Sequence, residues 1–99
     1  RLLGASVAVA DQSHARIVVR LAGPRVRNVL AKGTGIDLAR FAKGDVAATL
    51  LGQIAVVLHA IDDDAIDVYA PRSYSLSLWE WLVESAGEYG YRVEPRNDR

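Results

Sequence analysis

LAGPRVRNVLAKGTGIDL, residues 21–38, decides the fold. An apolar strand runs into Gly23-Pro24, a basic segment follows, and glycines return at Gly33 and Gly35. Read as a phosphate cradle, the stretch would belong to a nucleotide-binding βαβ unit. Read as punctuation, it makes one short helix between antiparallel strands. The dinucleotide fingerprint needs a strand, then G-x-G-x-x-G, then a helix. Here the glycines follow the helical segment, and Leu38 stands where the third glycine belongs. Lys32-Gly33-Thr34 has the letters of a P-loop in the wrong order. Pro24 suits a first helical position, where its missing N–H would be unpaired anyway. Val26, Val29 and Leu30 form one apolar stripe, leaving Arg25, Arg27, Asn28 and Lys32 for water. Gly33 then reads as a helix stop. Free N–H groups after Gly23, with Arg25 nearby, offer a weak anion site. A solvated helix start explains the same residues without a ligand and is preferred.

Upstream, residues 7–10 form a short apolar strand and Asp11-Gln12-Ser13 a polar turn. Residues 15–21 alternate, with Ile17, Val19 and Leu21 on one face and Arg16, Val18 and Arg20 on the other, the period of a half-buried strand. Downstream, residues 34–45 are expected as a loop anchored by Ile36, Leu38 and Phe41. Residues 46–51 read as a strand, and Gly52-Gln53 as a glycine-first hairpin turn. Residues 54–61 are apolar on both faces except at His59, which predicts a central strand. Asp62-Asp63-Asp64 makes a turn, and residues 66–70 a strand closed by Pro71, which donates no ladder hydrogen bond. A helix is expected over residues 73–88, with Ser77 and Glu80 as a capping box if it starts late and Gly90 as its stop. Residues 91–99 have the composition of a tail. The order β-β-α-β-β-β-α predicts an α+β fold with a mostly antiparallel sheet.

Ninety-nine residues fit a single small domain spanning residues 1–99. Twelve basic residues balance twelve acidic ones, which argues against a nucleic-acid partner. No polybasic block points to a membrane surface, and no apolar run is long enough to span one. The absence of cysteine excludes disulfides, thiolate metal sites and a cysteine nucleophile, and is compatible with the cytoplasm. No signal peptide is recognisable, and a start at Arg1 rather than Met suggests a processed or trimmed chain.

The residues that carry chemistry are scattered. His14 and His59 have no second ligand at metal spacing. The aspartate run at 62–64 lacks a calcium loop's closing glutamate, Ser73 standing there instead. No G-x-S-x-G elbow presents a serine. No catalytic, cofactor-binding or metal site is therefore expected. The last helix is more informative. Leu76, Trp79, Leu82, Val83 and Ala86 make one apolar face, expected against the sheet. Trp81 lies about 200° around from Trp79, with Tyr74 and Leu78 on its side. A surface helix needs one such stripe. Tyr74, Leu78 and Trp81 are accordingly expected to meet a partner, because aromatic anchors mark binding patches. Folding of Trp81 onto the chain's own tail or an edge strand is the alternative.

Residues 10–41, ADQSHARIVVRLAGPRVRNVLAKGTGIDLARF, and 50–90, LLGQIAVVLHAIDDDAIDVYAPRSYSLSLWEWLVESAGEYG, resemble the gamma subunit of heterotetrameric sarcosine oxidase. The most specific pieces are LAGPRVR at 21–27, LAKG at 30–33, IDL at 36–38, and RSY at 72–74 leading into LWEWL at 78–82. The resemblance implies a β2-α-β3-α unit similar to half of the aminomethyltransferase folate-binding-domain fold. Gamma subunits of that family are about twice this length, so these residues are expected to be the C-terminal half. It also implies a complex that oxidises sarcosine to glycine and hydrogen peroxide, yielding methylenetetrahydrofolate when tetrahydrofolate is present. FAD, FMN, NAD and tetrahydrofolate are then expected on the larger alpha and beta subunits and none on this chain. The aspartate that aminomethyltransferases carry near a mid-domain glycine is missing from Gly52-Gln53-Ile54-Ala55-Val56-Val57, so folate chemistry is assigned to no residue.

The sequence thus predicts a non-catalytic assembly subunit of a sarcosine oxidase, able to pair with itself when isolated. A gamma-type subunit of an N-methylglutamate dehydrogenase-like complex and a stand-alone folate-binding module are the alternatives.

Overall fold

A computed structural model describes residues 5–93. β1 (Ala5–Gln12) and β2 (Arg16–Ala22) form a hairpin whose turn is held by Ser13, its Oγ accepting the N–H groups of Ala15 and Arg16. A register shift between Val9 and Asp11 marks a bulge in β1. β3 (Val46–Leu51), β4 (Ile54–Asp62) and β5 (Ala65–Pro71) follow as consecutive antiparallel hairpins. Gly52 has φ +63° and no non-glycine residue among the described residues has a positive φ, so the β3–β4 turn is of the glycine-first kind the sequence predicts. β5 then pairs with β2, from Arg16 opposite Pro71 to Ala22 opposite Ala65. The sheet order is β3-β4-β5-β2-β1-β6, where β6 is Tyr91–Val93. β6 runs parallel to β1, with Ala5 opposite Tyr91 and Val7 opposite Val93. Residues 91–93, expected as tail, are thus part of the sheet; residues 94–99 lie outside the described residues.

Two helices cover one face of this sheet. α1 (Val26–Ala31) starts later than the sequence predicts: Pro24 and Arg25 form a turn instead, closed by the Val26 N–H donating to Gly23 O at 3.3 Å. Val26, Val29 and Leu30 are buried, as their spacing requires. Arg27 and Lys32, expected in water, are tethers. Arg27 Nη1 donates to Leu38 O at 2.6 Å and Nη2 to Asp63 O at 3.1 Å, pinning the 34–45 loop and the β4–β5 turn to α1. Lys32 Nζ donates to Ser85 O at 2.8 Å and Glu88 Oε1 at 2.7 Å and lies 4.9 Å from the Tyr89 ring centroid. The loop makes one 3₁₀ turn at Leu38–Arg40, and Leu38 and Phe41 are buried anchors.

α2 (Ser75–Ala86) is flanked by 3₁₀ turns at Arg72–Tyr74 and Gly87–Tyr89, which together fill the predicted span. Its N-cap is Tyr74, with no side-chain cap, so Ser77 and Glu80 form no capping box. Leu78, Leu82 and Ala86, four residues apart, point at the sheet and are fully buried. They meet Val7, Val19, Leu21, Leu58, Ile66 and Val68 in the one hydrophobic core. No helix among the described residues is long and apolar enough to cross a membrane.

Candidate functional site

Strands point alternate side chains to opposite faces, and two short helices can cover only one. The other face carries no helix across β3, β4, β5 and β2 among the described residues, and of its side chains Val18 and Asp67 are buried. Cross-strand register lines its residues into rows: Ala48, Val57, Tyr69 and Val18 in one, Val46, His59, Asp67 and Arg20 in the next. Val46, Leu50 and Val57 are exposed there to 61 %, 57 % and 36 %, an unusual cost for side chains of that size on paired, rigid strands. A shallow depression of about 490 Å³ runs over Arg16, Ala48, Ala55, Val57, Tyr69 and Pro71. A second, of about 310 Å³, adjoins it at His59 and Val46.

Residues 54–61, read as a central strand from their two apolar faces, do lie inside the sheet between β3 and β5. Their burial alternates nonetheless, with Ile54, Val56, Leu58 and Ala60 buried and Ala55 and Val57 exposed. The physical reason is the supply of covering layers: α1 has six residues and α2 twelve, all on the same side.

Polar groups edge the apolar patch. Arg20 and Asp67 form a fork-on-fork pair, Nε to Oδ1 at 2.8 Å and Nη2 to Oδ2 at 3.1 Å. Hydrogen bonding to Asp67 holds the Arg20 guanidinium above its ordinary range despite partial desolvation. A raised base contributes stability below its unfolded value and loses it only as pH rises past the folded one, so this pair is intact throughout the neutral range. The Asp67 side chain is 6 % exposed and that of Arg20 48 %. Arg20→Ala is therefore expected to cost about 2 kcal/mol, the Arg being half screened but the carboxylate left buried and unpaired. Denaturant melts of the parent and the variant check this, and an unchanged midpoint would refute it. Arg16 stacks over Tyr69, 5.3 Å from its ring centroid, and forms no ion pair among the described residues.

The residues expected to meet a partner do not share a face. Tyr74 stands exposed before α2 at 49 %, whereas Leu78 is wholly buried in the chain's own core. Trp81 is half-buried, its indole lying against Gly33 and Gly52. Leu76, expected in the core, is 68 % exposed. The two apolar stripes seen in the sequence are the flanks of a single wide one. Its centre is the Leu78–Leu82–Ala86 line, with Trp79 and Trp81 packed on either side. Leu76 lies about 120° from Leu82 and misses it.

The glycine question is answered here as well. Gly33 has no positive φ, so no left-handed helix cap requires it. A Cβ there would collide with Trp81 Cζ2, and would stand 2.9 Å from Gly52 N. Gly52 N donates to Gly33 O at 3.0 Å, which draws the end of α1 against the β3–β4 turn. The glycine serves close packing, as the indole and a neighbouring backbone both reach it. His14 is exposed in the β1–β2 turn and His59 half-buried on the open face, and no cluster of three potential metal ligands exists among the described residues.

Comparison with known proteins places this architecture. The chain superposes with a TM-score of 0.75 and 26 % identity on a chain of the heterotetrameric sarcosine oxidase from Corynebacterium sp. U-96, solved in complex with pyrrole 2-carboxylate. The match covers 78 % of this chain but 40 % of that one, so this chain corresponds to less than half of its relative. No curated protein matches. Residues 3–88 match the family model of the sarcosine oxidase gamma subunit, and the chain belongs to that family.

Proposed function

We propose that the chain is a non-catalytic subunit of a sarcosine-oxidase-type complex that packs against the larger alpha and beta subunits through the helix-free face of its sheet. The observation that carries this reading is the joint exposure of Val46, Leu50 and Val57 on that face. Apolar side chains on a rigid sheet are costly in water and favourable in an interface, at roughly 25 cal/mol per Å² covered. Arg16 and the Arg20–Asp67 pair supply the polar rim that interfaces commonly have. In this reading the oxidation of sarcosine to glycine and hydrogen peroxide, or to methylenetetrahydrofolate with tetrahydrofolate, runs on FAD, FMN, NAD and folate held by the larger subunits. The cysteine-free composition suits a cytoplasmic setting.

Val57→Asp tests the proposal within the co-expressed complex. The carboxylate would stand at the surface of the free chain but inside the interface. Recovery of the larger subunits with this chain is expected to fall at least about tenfold, equivalent to 1.4 kcal/mol. The circular dichroism spectrum of the free chain should stay that of the parent, with a modestly lower melt because Val57 is only 36 % exposed and aspartate is a poor strand former. Undiminished recovery would sink the assignment of this face.

A further inference from the structure

Arg16 begins β2 on the helix-free face, and its guanidinium lies over the Tyr69 ring. Arg16, Val57 and Tyr69 line both depressions of that face, so the charge stands where the two adjoin. Its side chain meets no hydrogen-bond acceptor and no carboxylate among the described residues. Arg20, Arg27, Arg40 and Arg72 each have one or the other. Arg25 also has only a ring, that of Tyr89, but at the ends of the two helices. On the face of Arg16, Asp67 is taken by Arg20, and Asp11, opposite Val18 in the register, makes no ion pair.

A ring beneath a guanidinium favours the charge without neutralising it, and leaves N–H groups open. Water makes that arrangement cheap. A covering subunit removes the water, and a charge left unpaired there costs more than the apolar contacts around it return. Backbone or hydroxyl oxygens would satisfy the N–H groups but would not cancel the charge. A carboxylate does both, and meets the guanidinium fork with two parallel hydrogen bonds.

We infer that the larger subunit covering this face sets an aspartate or glutamate carboxylate against Arg16, with an apolar side chain on either side of it. The inference rests on the face assignment proposed above and names the chemistry that face selects. The flanking apolar side chains follow from the two depressions, one floored by Ala48, Ala55 and Pro71, the other walled by Val57 and His59. Tyr69 already holds the guanidinium in place, so little side-chain freedom is lost when the carboxylate arrives.

The test is recovery of the larger subunits with this chain from the co-expressed complex. Washes at about 0.05 M and about 0.5 M sodium chloride set long and short screening lengths. Parent recovery is expected to fall as salt rises. Arg16→Gln should lower it about tenfold at low salt and flatten its salt dependence. Arg16→Glu opposes two carboxylates, so its recovery should be lower still at low salt and should rise with salt, the reverse of the parent. Arg16 is exposed, so both free variants should keep the parent's circular dichroism. Recovery unchanged in both variants, or lowered equally at the two salt concentrations, would overturn the inference. A lower melt of the free variants with recovery intact would overturn it too, by placing the acceptor within this polypeptide. Val57→Asp, run alongside, separates the two readings. If it also leaves recovery undiminished, the face is wrong; if it alone disrupts the complex, the face stands and the carboxylate does not.

Discussion

Leu78→Asp is expected to abolish the cooperative melt of the free chain. Leu78 is fully buried in the core that also holds Leu82, with Trp79 and Trp81 packed against that core. Its removal forfeits the burial of a leucine, about 2–3 kcal/mol. The carboxylate that replaces it has no cation within the core, which adds several kcal/mol whether it stays ionised or takes up a proton. The sum, roughly 5 kcal/mol or more, rivals the whole stability of a domain of this size. Thermal circular dichroism decides between this expectation and the sequence-level reading. An interface residue changed to aspartate would leave the melt intact and weaken only assembly. A parent-like transition would mean that α2 packs differently from the arrangement described here.

Gly33→Ala is the second large effect. One methyl group enters a space already filled by the Trp81 indole and the Gly52 amide, with Trp81 Cη2 and Gly52 N each 2.9 Å from it. The indole can rotate away, but the backbone of the β3–β4 turn cannot yield without losing its hydrogen bond to Gly33 O. Overpacking of this kind costs about 2–3 kcal/mol. For a domain of this length that lowers the melting temperature by about 10–20 °C. Tryptophan emission should move to the red as Trp81 gains water. In a Trp81→Ala background the same substitution is expected to cost clearly less, because one of its two collision partners is gone. Strict additivity would show that the indole is not what excludes a side chain at Gly33.

The elements were legible where local chemistry is unambiguous. Gly52-Gln53 predicts its own turn type because only glycine takes φ +63° without strain. Leu38 and Phe41 were recognisable as loop anchors because apolar side chains in a polar stretch have to be buried somewhere. The candidate site was less legible. Val57 and Leu50 look like core residues in a strand apolar on both faces, and alternation alone does not tell a face covered by this chain from one left bare. A signal was present nonetheless. Only two helical segments were recognisable, and neither is long enough to cover a second face of five strands. The same ambiguity split the apolar surface of α2 in two: Trp79 and Trp81 look like the centres of two stripes until the sheet shows which line of the helix it accepts.

By itself the sequence determined the α+β class and the order of the first five strands and the two helices, because turn chemistry and hydrophobic period act over a few residues. Tertiary structure decided the rest. It set which of two apolar faces is covered, why Gly33 is a glycine, and that residues 91–93 join the sheet. Each of these depends on contacts between segments far apart in the chain, such as Trp81 with Gly33 or Tyr91 with Ala5, and local pattern carries no record of which distant surface will arrive.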